Sequence, residues 1–167
     1  MKIAFQMDPI ELVDINADST FRLAEEAQIR GHEIYVYSPN DLTFNRGKIA
    51  AKVRSISLKR KIGDHVNFGT EEMLALSEFY IIWRRQDPPF DMGYITNTHL
   101  LDLVAQETLI VNNPFWVRNL PEKLLVLEFP DLIPDTLISR DLDEIKKFKS
   151  EFIFSRGSIS NSKINQK

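Results

Sequence analysis

The residues best suited to chemistry lie in one stretch. Arg84, Arg85, Gln86 and Asp87 follow directly on the apolar run from Phe79 to Trp83, and Pro88 and Pro89 come next. An arginine can hold a carboxylate through two parallel hydrogen bonds, and the aspartate can accept from an amine. Two other apolar runs also stop in polar residues. The run from Lys2 to Met7 stops at Asp8, and the run from Thr108 to Val111 stops at Asn112-Asn113-Pro114. A fourth element is Asp18-Ser19-Thr20, where Asp18 suits a helix N-cap. The free N–H groups of a first helical turn attract anions, and the two hydroxyls add to them. Ser19, Thr20, Arg85, Asp87, Asn112 and Asn113 together describe a pocket for a small ligand bearing carboxylates and an amine. Taken singly, each has a plainer reading: capping for Ser19-Thr20, a turn for Asn112-Asn113-Pro114 and a solvated strand end for the arginines. Convergence is the argument for binding.

The ends converge only if their strands run parallel. Phe21, Ala24 and Ala27 recur at helical spacing after the first strand, and Gly31 suits the helix stop. Glu33 to Ser38 is the next strand, so the chain opens as β-α-β. Leu42 to Phe44 and Lys48 to Leu58, joined by Asn45-Arg46-Gly47, predict a hairpin. Val66 to Phe68 predicts a short strand and Glu71 to Leu76 a short helix, giving an antiparallel insertion at a sheet edge between about 42 and 68. A strand at 79–83 returns to the parallel core. Asp91 then caps a helix with apolar positions at Tyr94, Ile95, Thr98, Leu101 and Ala105. After the strand at 108–111 come a short helix near Phe115 to Asn119 and a helix from Pro121 carrying Lys123 to Phe129. Thr136 to Ser139 predicts a short strand, and Leu142 to Glu151 a helix capped by Asp141. The predicted fold class is α/β with a mainly parallel sheet, in which ligands bind outside the carboxyl ends of the strands. The polar stretch beyond Phe154 cannot bury itself and is expected to be disordered.

Composition narrows the class. The chain has 167 residues, a formal net charge of -3 and 43% hydrophobic residues, an ordinary globular balance. No basic face points to nucleic acid; Lys59-Arg60-Lys61 reads as a solvated loop. The absence of cysteine excludes disulfides, thiolate metal sites and a cysteine nucleophile, and fits a reducing compartment such as the cytoplasm. No apolar run approaches the roughly 20 residues of a membrane helix. Gly-x-x-x-x-Gly-Lys-Ser/Thr, Gly-x-Gly-x-x-Gly and Gly-x-Ser-x-Gly are missing, and His32, His65 and His99 lack metal-ligand spacing.

Several segments resemble bacterial glutathione synthetase. Met7-Asp8-Pro9-Ile10-Glu11, Asp18-Ser19-Thr20-Phe21 and Glu26-Ala27-Gln28-x-Arg30-Gly31-His32-Glu33 look like the start of that family. Arg85-Gln86-Asp87-Pro88-Pro89-Phe90-Asp91-Met92 resembles its most specific segment. Leu109 to Pro114, Val117-Arg118-Asn119, Pro121-Glu122-Lys123-Leu124, Glu128 to Leu132 and Pro134-x-Thr136-Leu137-Ile138 continue in order, to about Phe152. The resemblance implies a Rossmann-like domain over 1–122 on the substrate side, the incomplete start of an ATP-grasp region over 123–154, and a non-family tail over 155–167. It implies ligation of γ-glutamylcysteine to glycine with ATP and magnesium through an acyl phosphate. It puts Ser19, Thr20, Arg85, Asp87, Asn112 and Asn113 on the peptide and Lys123 on ATP.

The chain departs from the family where a strand, a Lys-Pro-Leu segment and a glycine-rich loop are expected. It has Phe154-Ser155-Arg156-Gly157-Ser158 instead. Arg84, at a usually apolar position, and Asn16-Ala17, where lysines are frequent, are lesser departures. Three functions follow as alternatives: an enzyme part that is inactive alone, a non-catalytic module that associates with itself or with full-length subunits, and a remnant of an interrupted gene.

Overall fold

The structure, a computed structural model, describes residues 1–120 and 122–151. The chain divides into two compact units, Met1–Pro121 and Glu122–Lys167. In the first, β1 (Lys2–Met7) leads through α1 (Ser19–Ile29) to β2 (Glu33–Tyr37). The strands β3 (Leu42–Asn45), β4 (Lys48–Leu58) and β5 (Val66–Ala75) follow, and then β6 (Ile81–Arg85), α2 (Met92–Asp102), β7 (Leu109–Val111) and α3 (Pro114–Asn119). Four parallel strands form the centre of the sheet in the order β2-β1-β6-β7. The fold is α/β and Rossmann-like, as expected, with an antiparallel extension on the β2 side.

Local chemistry accounts for most boundaries. The Asp18 carboxylate accepts from the Phe21 N–H at 2.7 Å and starts α1, and Gly31 ends it at a φ of +79° that a side chain would oppose. Arg46 and Gly47, at φ of 50° and 80°, make the tight turn between β3 and β4. Asp91 accepts from the Tyr94 N–H at 2.8 Å and starts α2.

The alternation of a strand divides the core into two layers. Ile3, Phe5 and Met7 of β1 pack on the α1 side with Phe21 and Ala24. Ala4 and Ile82 pack on the α2 side with Tyr35, Leu101 and Val104. α3 is tied to α2 by Arg118, which pairs with Asp102 at 2.6 Å and donates to the buried Thr98 hydroxyl at 3.1 Å.

Three expectations for strands and helices of the first unit and the chain after it are corrected first. The strand placed at 79–83 is β6 at Ile81–Arg85, because Arg84 and Arg85 pair with Gln6 and Met7 and extend the ladder. Phe79 is buried just ahead of it, after a 3-10 turn at Leu76–Glu78. The short helix expected at Glu71 to Leu76 is instead the second half of β5, which ends at Ala75. The eleven-residue β4 offers a long edge, and Arg54 lies opposite Glu71 across the ladder, which favours the strand. A register shift between Arg54 and Ile56 accommodates Gly69, whose hydrogen lies against the Ser55 hydroxyl. The strand expected at Thr136 to Ser139 is irregular chain, since no strand partners it among the described residues.

The second unit begins with α4 (Glu122–Leu125) and 3-10 turns at Val126–Glu128 and Pro130–Leu132. The helix expected to run on to Phe129 is therefore shorter. Residues 142–151 are helical, with Asp141 accepting from the Asp143 and Glu144 N–H groups. The tail expected to be disordered lies outside the described residues.

The loop between β4 and β5 carries a local charge cluster. Asp64 Oδ2 lies 2.9 Å from both Lys61 Nζ and Lys59 Nζ. These bonds, Lys61 first, hold the Asp64 carboxyl down from 3.8 to about 2. A depressed carboxyl favours the folded loop above its unfolded value and loses that contribution as pH falls through about 2. A carboxyl NMR titration of Asp64 is expected to show its midpoint near 2, and Lys61→Ala is expected to move it up toward 3.8. An unmoved midpoint would show that Lys61 does not hold the charge.

Candidate functional site

β1, β6 and β7 run parallel, so Asp8, Asp87 and Asn112 follow strand ends on one edge of the sheet. Alternation along β6 sends neighbouring arginines to opposite faces. Arg85 lies on the α1 side. Its Nε donates to Thr20 Oγ1 at 2.9 Å and its Nη2 donates to Ser19 Oγ at 2.7 Å. Thr20 is buried, and Ser19 is exposed. α1 is seated by Phe21 and Ala24, both with no exposed surface, so the hydroxyls are fixed to the sheet rather than to a free loop.

Arg85 has no carboxylate partner among the described residues, although five N–H groups are available to it. It also sits at the positive end of α1. A cation at that position creates a place for an anion. Asp87 is exposed, and its N–H lies 3.4 Å from Asp8 Oδ2, which links the ends of β6 and β1.

The sequence therefore anticipates the direct cluster of Ser19, Thr20 and Arg85. Asp87 joins it only through the adjacent strand end. Asn112 is exposed just beyond β7. Asn113 accepts from the Trp116 N–H at 3.2 Å and caps α3. Neither asparagine bonds to the Arg85 cluster among the described residues. The Lys123 side chain lies outside the described set.

Two cavities flank this edge. One, of about 210 Å³, opens between the ends of β1 and β2, with Asp8, Glu11, Ser38, Lys52, Arg54 and Glu71 in its wall. Asp8 connects it to the Asp87 link. Lys52 and Arg54 carry only a weak signal in the sequence, as solvent-side positions of an alternating strand; Glu71, which reads as a solvated helical carboxylate, lies in β5 instead. The other cavity lies toward α2 and includes Gln86 and Tyr94.

Residues 1–118 match the family described as prokaryotic glutathione synthetase, N-terminal domain. The chain belongs to this family. It is similar to the glutathione synthetase of Brucella melitensis, with 49% identity over 152 residues, covering 91% of this chain and 49% of that protein. The glutathione synthetase of Anaplasma centrale is 42% identical, over 91% of this chain and 47% of that protein. That of Vibrio parahaemolyticus is 39% identical, over 90% and 48%. The chain thus spans about half the length of these glutathione synthetases. Its family-like Arg85 to Asp91 segment forms the connection from β6 to α2. Among the described residues no group of three or more His, Asp or Glu side chains could hold a metal ion. No helix among them is long and apolar enough to cross a membrane.

Proposed function

We propose that this chain forms the peptide-binding side of a glutathione synthetase, which joins γ-glutamylcysteine to glycine with ATP and magnesium. The observation that carries the reading is Arg85, held by Ser19 and Thr20 at the start of α1 with no carboxylate partner among the described residues. γ-Glutamylcysteine bears two carboxylates and one ammonium. Arg85 and the first turn of α1 take a carboxylate; Asp87 and Asp8 accept from the ammonium. Asn112 is placed to orient the peptide from the end of β7, and Asn113 to hold that turn through its cap. In the complete enzyme, bound ATP would supply the phosphoryl group that activates the peptide carboxylate, with ADP leaving, and magnesium would neutralise the phosphate charge. Lys123 is the ATP contact that the resemblance supplies. This chain's part in that reaction is to bind and orient the peptide.

The polypeptide of 167 residues is expected to make no glutathione alone, because one lysine does not position and neutralise a transferring phosphoryl group. The test combines two measurements on the purified chain. Calorimetry with γ-glutamylcysteine should show weak, saturable binding. Incubation with γ-glutamylcysteine, glycine, ATP and magnesium should release neither phosphate nor glutathione. Absence of binding would overturn the peptide-side assignment. Turnover that co-purifies with the chain and disappears in Lys123→Ala would overturn its inactivity alone.

A further inference from the structure

The opposite face of β6 carries a second, separate arrangement. Arg84 is 3% exposed and forms no ion pair among the described residues. Its Nη1 donates to the Tyr94 hydroxyl at 2.9 Å and its Nη2 donates to Gln86 Oε1 at 3.4 Å. Gln6, beside it in register on β1, is fully buried, and Tyr37 lies beside Gln6 on β2. Among the described residues the Arg84 Nε, both Gln6 amide atoms and the Tyr37 hydroxyl have no partner. The three central strands thus present a row of buried polar groups on the α2 side, rich in donors and carrying one positive charge.

A buried guanidinium without an anion is costly. The Tyr94 ring, 4.1 Å from the Arg84 Cζ, offsets part of the cost. Tyr94 and Gln86 are also walls of a cavity of about 400 Å³ that includes Asn40, Asp91 and Asn97. Gln86 offers Arg84 only a neutral oxygen at long range, where a carboxylate would make charge-assisted bonds of about 2.7–2.9 Å. Having accepted from Arg84, the Tyr94 hydroxyl retains its proton for a ligand. Asp91, already accepting from the Tyr94 N–H, adds a negative wall that disfavours a dianion.

We propose that this cavity binds a small monocarboxylate, which displaces the Gln86 amide from the buried guanidinium of Arg84. The site uses none of the residues assigned to the peptide, so the two assignments stand or fall separately. Acetate is the probe, with chloride at equal ionic strength as control, and the ¹H–¹⁵N signals of Arg84 Nε and the Gly93 amide are followed. Acetate should shift both signals saturably, and chloride should not. Arg84→Met should weaken the Gly93 response at least about tenfold, the scale of one lost charge-assisted contact. Gln86→Glu, which brings its own carboxylate to Arg84, should abolish the acetate response and raise the thermal midpoint. An unsaturable shift shared with chloride would show that water satisfies these groups and would overturn the proposal. So would an acetate response retained in both variants; should Arg84→Met fail to fold, Gln86→Glu decides alone.

Discussion

Replacing Arg85 with alanine is expected to weaken γ-glutamylcysteine binding by roughly 10- to 100-fold, the scale of a lost hydrogen-bonded charge. In a complete enzyme with the same residues, the apparent KM for the peptide should rise correspondingly. Arg85 is well placed for this effect because Thr20 and Ser19 already fix its fork, so little side-chain freedom is lost on binding. Arg85→Lys should recover only part of the affinity, since an ammonium keeps the charge but not the planar pair of donors. Calorimetry on the three proteins makes the comparison, with circular dichroism confirming that each is folded. Equal affinity in all three would remove Arg85 from the site.

Phe21→Ala is expected to cost about 3–5 kcal/mol of stability, the range for emptying a large buried aromatic position. Phe21 is fully buried between α1 and the sheet and packs edge-on against His65 at 5.7 Å. The His65 Nε2 in turn lies 2.8 Å from the Ile10 carbonyl. The cavity would therefore sit under the first turn of α1, beside Thr20. Peptide affinity should fall along with stability, although Phe21 is only the seat for the residues proposed to bind. Urea unfolding should show a lower midpoint at unchanged slope. A loss below about 1 kcal/mol would mean the site collapses around the missing ring.

The legible parts of the sequence were those fixed by nearby residues. Asp18, Asp91 and Asp141 cap the helices expected of them, and the turn before β4 follows from Gly47. β6 was shifted because two arginines look like a strand end; only pairing with β1 keeps them in the ladder. β5 was harder still. Glu71-Glu72-Met73-Leu74 favours a helix locally, and only antiparallel pairing with the long edge of the preceding strand, β4, overrides this preference. At the site, Arg85 was legible from its position after an apolar run. Gln6 and Tyr37 were not, because a polar residue inside a strand run gives no sign of its neighbours. Period-two alternation from Ile82 to Arg84 and from Ala4 to Gln6 was the available signal.

The unequal length of the singly paired strands has a consequence for self-assembly. β3 and β7 have four and three residues, too short to template another chain, whereas β5 offers ten. Growth of the sheet by strand addition is therefore directional and starts at β5. Glu71 and Glu72 stand exposed there as gatekeepers: a second copy laid along that edge would bring carboxylates together. The acidic residues of that edge thus disfavour strand addition between copies of the chain.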